Sequence, residues 1–334
     1  MAWGITVPLD GVPLAAHPGL YRELADAGYT DVWSAESNGA DGITPLALAA
    51  AAEPRLRLGT AIVSSFTRGP AVLAQTAAAM ADAAPGRFVL GLGASSDVIV
   101  QRWNGVAFDK PYSRTRDVLR FLRAALAGDR VAAQYDTFSV AGFRLGLVPQ
   151  TPPKIMVAAL RERMLRLAAR EADGVILNWV SPQDVKRIAA IVHEENPAAE
   201  IIARIMVCPS PDAAAVRAAV RPLVSGYLTV PVYRAYEVWL GHGEALAGMW
   251  RAWDAGDRKA ATAAVPDEVV DSVCVHGPPG DCLEQIARYV SSGVTTPVLA
   301  LLPAGLDIRD AARRLAPRHR PTRGTDAAPL APRS

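Results

Sequence analysis

The 334-residue chain predicts a single (β/α)8 TIM barrel over residues 1–317, with a helical insertion after the seventh strand at about 225–271 and a disordered tail at 318–334. Three observations predict it. Short apolar runs alternate with helix-like stretches eight times at nearly even spacing. The runs are almost continuously apolar, the pattern of parallel strands covered on both faces. No break in composition divides the chain before the tail, which favours a barrel over a doubly wound sheet.

The first unit is WGITVPLD, closed by Val7, Pro8 and Asp10, followed by PGLYRELADAGY, which stops at Gly28. DVWSAE (Asp31 to Glu36) and the loop SNGADG lead to TPLALAAAAEP, where Pro45 stands in a first turn that tolerates it. LRLGTAIVSSF precedes PAVLAQTAAAMADAAPG. RFVLGLGA precedes a loop through Trp103 and Gly105 and then YSRTRDVLRFLRAALAG. Between Arg130 and Pro152 the period changes, and VAAQYDTFSV with FRLG reads as a small hairpin. The pattern resumes with KIMVAAL (Lys154 to Leu160) and RERMLRLAAREA, then GVILNWV (Gly174 to Val180) and SPQDVKRIAAIVHEE, with Ser181 as N-cap and Pro182 in the first turn. The seventh unit is EIIARIMVCP (Glu200 to Pro209) with DAAAVRAAVRPLV. After the insertion, Ser225 to Asp271, a helix over Asp281 to Ser291 leads to the eighth strand, TPVLALLP (Thr296 to Pro303), and DIRDAARRLAP. From His319 the composition of Pro, Gly and small polar residues predicts disorder.

Composition narrows the function. Thirty-five basic and 33 acidic side chains give a net charge of +2, with no basic block and no interleaved aromatics, so no nucleic-acid partner is expected. Apolar runs such as Ile43 to Ala52 are too short to span a bilayer, and no membrane association is expected. MAWGITVPLD lacks the basic start and apolar core of a signal peptide, which predicts a cytoplasmic protein. The three cysteines form no CxxC pair and the five histidines no HxxxH or HExxH; buried, reduced thiols and no metal site are expected.

A barrel carries its site where strands run into βα loops. Gly91-Leu-Gly-Ala-Ser-Ser96 invites a dinucleotide reading, but the third glycine is replaced by Ser96 and no helix begins until about Tyr112. Gly91 fits close strand packing, whereas Gly93, Ser95 and Ser96 suit a flat ring lying close to the backbone. On strand three, Ala61 followed by the β-branched Ile62 and Val63 offers a wall behind such a ring, or simply a core strand. Ala158, Ala159, Leu160 and Arg161 end strand five directly before a helix, where free amides suit a phosphate, and Asn178 ends strand six. The acids at strand ends are Asp10, Glu36 and Asp97. Glu36 is either a proton donor or acceptor beside the ring or the structural partner of a loop arginine such as Arg68. No Ser/His/Asp or Cys/His set falls at strand ends. Tyr227, Tyr233, Tyr236, Trp239, Trp250 and Trp253 gather in the insertion, as core, subunit interface or an apolar lid over a substrate.

LGTAIVSSFTRGP with GRFVLGLGASS, RWNGVAFDKPYSRTRDVLRFLRAAL, VAALRERMLRLAAREADGVILNW and SSGVTTPVLALLP together resemble the luciferase-like monooxygenase superfamily over about residues 3–315. More narrowly, they are similar to its F420-dependent oxidoreductase branch, which includes methylenetetrahydromethanopterin reductase-like proteins. The resemblance implies a barrel, a homodimer, and coenzyme F420 or FMN with its ring at the strand mouths. It further implies a non-proline cis peptide at Ala61-Ile62, phosphate contacts at Ala159, Leu160 and Arg161 with Asn178, and ring-edge contacts at Ser95 and Ser96. Members acting on alcohols or sugar phosphates often carry an acid followed by His at the end of strand two. Here Glu36 is followed by Ser37, which leaves Glu36 or Asp10 as the ionisable candidate. The expected activity is hydride transfer between a deazaflavin and a small organic substrate. The alternatives are an FMN-dependent two-component monooxygenase and a cofactor-binding barrel without turnover.

Overall fold

In the computed structural model, which describes residues 2–302 and 304–317, eight parallel strands close on themselves. They are β1 (Gly4–Val7), β2 (Asp31–Ser34), β3 (Arg57–Thr60), β4 (Phe88–Gly93), β5 (Lys154–Ala158), β6 (Gly174–Asn178), β7 (Glu200–Cys208) and β8 (Thr296–Leu301). Each pairs with its successor, and β8 returns to β1 through Val298 opposite Gly4. The tail expected to be disordered from 318 lies outside the described residues, as do Met1 and Pro303.

Strand alternation sorts the side chains into two layers. One set points into the barrel, where Trp33, Val89, Met156, Ile176, Ile202 and Val298 form an inner cluster. Trp33 fills the centre because its neighbours are glycines: a Cβ on Gly59 would lie 2.2 Å from the indole, and one on Gly4 3.0 Å. The opposite set, including Ile5, Leu58, Leu90, Leu92, Val157 and Leu299, packs under the surrounding helices in the main core. Those helices start where the sequence provides a stiff first turn: Pro111–Leu126, Pro182–Glu195 and Pro279–Ser291 all open on proline. Ser181 caps the second of these in a reciprocal capping box with Asp184.

Below Trp33 the N-terminal end of the barrel is closed by charge. Arg57 on β3 donates to Glu200 on β7 at 2.8 Å, Lys154 on β5 binds the other Glu200 oxygen, and Asp31 on β2 lies 3.7 Å from Arg57.

Three stretches depart from the sequence-based expectation. The third apolar run is two strands, β3 and Val63–Ser64, separated at Ala61-Ile62. The loop after β4 winds into a π-helical segment, Val98–Trp103. The insertion begins well before 225, because a single helix, Ala213–Leu228, runs through that point with Pro222 inside it. Its stripe of Val216, Val220, Val224 and Leu228 packs on Leu246, Met249, Trp250, Ala261 and Val270 in a second core, separate from the barrel's own. Five helices therefore build the insertion: Ala213–Leu228, Pro231–Leu240, Gly243–Asp254, Arg258–Ala263 and Asp267–Val273. It returns through a short strand, Cys274–His276, that pairs with Met206 to Cys208 at the end of β7. The expected hairpin is present as Val131–Gln134 against Ser139–Phe143.

Candidate active site

At the C-terminal end of the barrel, small residues build the floor. A non-proline cis peptide joins Ala61 and Ile62. The Ala61 amide donates to the Ser34 carbonyl at 2.6 Å, and the Glu36 amide donates to the Ile62 carbonyl at 3.2 Å, tying this turn of chain to β2. On its other side the Ser65 amide donates to the Gly93 carbonyl at 2.8 Å. A Cβ on Gly93 would lie 2.9 Å from Ile62 Cγ1 and 3.2 Å from Ala158 Cβ, so Ala61, Ile62, Gly93 and Ala158 meet around one spot. Val63 does not join them. It is fully buried in the outer core against Gly42, because adjacent strand residues face opposite ways. Gly91 serves packing: a Cβ there would lie 1.8 Å from the Thr60 carbonyl oxygen.

Ser95, with φ 65°, and Ser96 follow β4 after Ala94, and the Ser96 hydroxyl accepts from the Ile99 amide at 3.4 Å. At the end of β5, Ala159 is buried and donates its amide to the Ile176 carbonyl at 3.2 Å, which removes that amide from a phosphate site. Among the described residues, no main-chain acceptor takes the amides of Leu160, Arg161, Glu162 or Arg163. Arg161 is exposed at the N-cap of helix Glu162–Glu171. The Arg163 guanidinium stacks 3.8 Å over the Tyr112 ring beside it.

Of the two candidate acids, Glu36 lies beside the floor and Asp10 on the rim. Glu36 Oε1 accepts from Arg68 at 2.6 Å and from the Gly42 amide at 3.2 Å, the ion pair foreseen as its structural alternative. Asp10 is exposed after β1 and lines a shallow groove with Pro13, Leu306 and Arg309. Asp97 lies 3.6 Å from Arg102.

Sequence reasoning missed Arg204. It points into the barrel from the middle of β7, its Cα opposite Asn178 on β6 and Val298 on β8. The signal was present: an arginine in the interior of a nine-residue strand that is otherwise uncharged after its first residue, Glu200. Burial pushes its pKa down, opposed by the fields of Tyr227, Tyr233 and Asp10. Four buried polar atoms on or next to the strands here lack a hydrogen bond among the described residues: Arg204 Nε, Asn178 Oδ1, Thr6 Oγ1 and, just past β6, Trp179 Nε1. Tyr227 and Tyr233 roof this region, Tyr227 packing 5.0 Å from Trp179 and 6.0 Å from Tyr233 between ring centroids. Tyr233 is close enough to Asn178 for its phenol to feel that side chain, although burial dominates and raises its pKa. The rest of the aromatic group is packing: Tyr236 is fully buried and stacks on Trp239, and Trp250 donates to the Leu228 carbonyl.

Among the described residues no helix is long and apolar enough to cross a membrane, and no three His, Cys, Asp or Glu side chains cluster as metal ligands. The chain is similar to a Mycobacterium tuberculosis protein provisionally named a coenzyme F420-dependent oxidoreductase, at 28% identity over 89% of this chain and 92% of the relative. It is also 28% identical to the 5,10-methylenetetrahydromethanopterin reductase of Methanolobus tindarius, over 91% of this chain and 95% of that one. Among solved structures, the coenzyme F420 dependent tetrahydromethanopterin reductase of Methanopyrus kandleri superposes with a TM-score of 0.78 at 19% identity, covering 95% of this chain and 97% of the other. The profile of the luciferase-like monooxygenases matches residues 5–296, from β1 to the start of β8. The chain belongs to the luciferase-like monooxygenase family.

Proposed function

We propose that the protein is an F420-dependent oxidoreductase that moves a hydride between the deazaflavin and a small organic substrate. The observation that carries the reading is the small-residue floor: Ala61, Gly93 and Ala158 meet beside Ile62 so closely that a Cβ on Gly93 would lie 2.9 Å from Ile62, which keeps the floor low at the strand mouths. The rest of the barrel end fits such a cofactor. The Asn178 amide and the strand-end residues Ser95 and Ser96 supply polar partners, and the amides of Leu160 to Arg163 with the Arg161 guanidinium suit a phosphate at a helix N-terminus. The names of the two relatives support F420 over FMN. When bound, F420 supplies the two-electron chemistry.

The chain's own part is positioning and protection. Tyr227 and Tyr233 cover the mouth and keep water from the reacting carbons. Tyr233 holds its phenolic proton, because burial raises its pKa. Glu36, braced by Arg68 and tied by its amide to the Ile62 carbonyl, stands beside the floor as the side chain that holds or moves a proton for the substrate, and Asp10 marks the rim.

The test is a titration of the purified protein with F420 and FMN, oxidised and reduced, followed by fluorescence. Micromolar binding of F420 without FMN is the expected result. Binding of FMN alone replaces this reading with the two-component monooxygenase, and binding of neither overturns both.

A further inference from the structure

The proposed hydride transfer leaves Arg204 without a task. Its Nε is buried with no partner, and its Nη1 approaches only the Met206 sulfur, at 3.8 Å. Among the described residues no carboxylate pairs with it, and Asp10, the one acid whose field reaches it, is exposed on the rim. A desolvated cation in such a place is costly until an anion completes it. Arg204 nevertheless keeps partial exposure, and inside a barrel closed below by Trp33 and the charged network that exposure opens on the mouth.

We propose that Arg204 receives the carboxylate of the substrate, so that the substrate is a small organic acid held between the floor and the two tyrosines. The term substrate rests on the hydride-transfer reading; the carboxylate pocket does not. The planar guanidinium fork matches a carboxylate in two parallel hydrogen bonds. A single cation balances a single negative charge, which selects a carboxylate over a phosphate dianion. Phosphate has its own suitable place at the amides of Leu160 to Arg163. Trp179 Nε1 and Thr6 Oγ1 are further donors without partners at the same end of the barrel, and the rings of Tyr227 and Tyr233 wall the apolar part of the ligand.

Isothermal titration of the full chain with acetate, hexanoate, benzoate and 3-phenylpropanoate tests this against the matched primary amides and phenyl phosphate, with the change in tryptophan fluorescence that Trp179→Phe removes as a second readout. At least one carboxylate is expected to bind about tenfold or more tightly than its amide and than phenyl phosphate, the margin of a charge-assisted pair. Arg204→Met abolishes that preference while its melting temperature stays at or above that of the parent, since the substitution removes an uncompensated buried charge. Arg204→Lys keeps part of the preference. No carboxylate preference in the parent protein, or a preference that survives in Arg204→Met, overturns the proposal. A carboxylate preference in a protein that binds no F420 removes the hydride-transfer reading and leaves the pocket standing. F420 binding without the preference does the reverse.

Discussion

Gly91 and Gly93 sit two residues apart on one strand and face the same way, yet they answer to different constraints. A methyl group on Gly91 meets the Thr60 carbonyl at 1.8 Å, main chain that has nowhere to go. Gly91→Ala should therefore cost about 3 kcal/mol or more in urea unfolding. A methyl group on Gly93 meets Ile62 Cγ1 at 2.9 Å and Ala158 Cβ at 3.2 Å, side-chain atoms that give more readily than main chain. Gly93→Ala should cost only about 1 kcal/mol yet weaken F420 binding roughly tenfold, because it raises the floor; unaltered binding would remove the floor from the site. Glu36→Gln should lower turnover with cofactor affinity nearly intact, and unchanged turnover would take Glu36 out of the mechanism. Much of this was legible in the sequence, since GLGASS and TAIVSS place small residues at strand ends. Arg204 was not. In EIIARIMVCP an arginine has two possible faces, and only the closure that sets it beside Asn178 turns it inward. Val63 failed for the complementary reason, because the peptide at Ala61-Ile62 breaks the run and the next residue faces outward.

One histidine helps fasten the insertion to the barrel, beside the Arg187 contact to Trp239. His242, after helix Pro231–Leu240, lies 2.8 Å from Glu237 on that helix and 3.4 Å from Asp184 on the barrel helix Pro182–Glu195. Hydrogen bonds to Asp184 and then Glu237 push its pKa up to about 10. Burial would raise Asp184, but His242 and Ser181 hold it below its usual range. A pKa above the unfolded value of about 6.5 stabilises fully below that pH, and the contribution is lost as pH rises through about 10. His242→Ala should thus cost about 1–2 kcal/mol at pH 7, the range of a partly exposed charged hydrogen bond, and the gap from the parent should close by about pH 10.5. An unchanging gap in urea titrations across that range would rule out the charged histidine as a fastener. From sequence the insertion was visible as extra helical length, but its start was not. VRPLVSGYL carries both a proline and a glycine, ordinary punctuation, inside a helix whose valine stripe overrides them through the second core.

Across the whole molecule the two barrel ends are opposites. Glu200 closes one end: burial would raise its pKa, and the Lys154 and Arg57 contacts bring it below the usual range. That contribution is present above the unfolded carboxylate value of about 4.3 and disappears as pH falls through the lower folded value. Glu200→Gln should cost about 1–3 kcal/mol near neutrality and progressively less in acid, read from urea midpoints between about pH 3 and pH 7. The thiols give a second global readout. Cys208, Cys274 and Cys282 are all buried, and burial raises each pKa, that of Cys282 up to about 12. A thiol reagent should leave all three unmodified in the native protein and modify all three in denaturant; rapid native labelling of Cys208 or Cys274 would show that the second core opens, and of Cys282 that the main core does.

A barrel sealed below by Arg57, Lys154 and Glu200 has a single doorway. Two guests that must meet inside it are obliged to queue. In the proposed reaction the cofactor on the Gly93 floor goes in first and comes out last, and the substrate beneath Tyr227 and Tyr233 comes and goes above it. For the proposed reaction this is a kinetic signature, an ordered mechanism in which the cofactor leads. Product-inhibition patterns would show it as competition between the two redox forms of the cofactor alone.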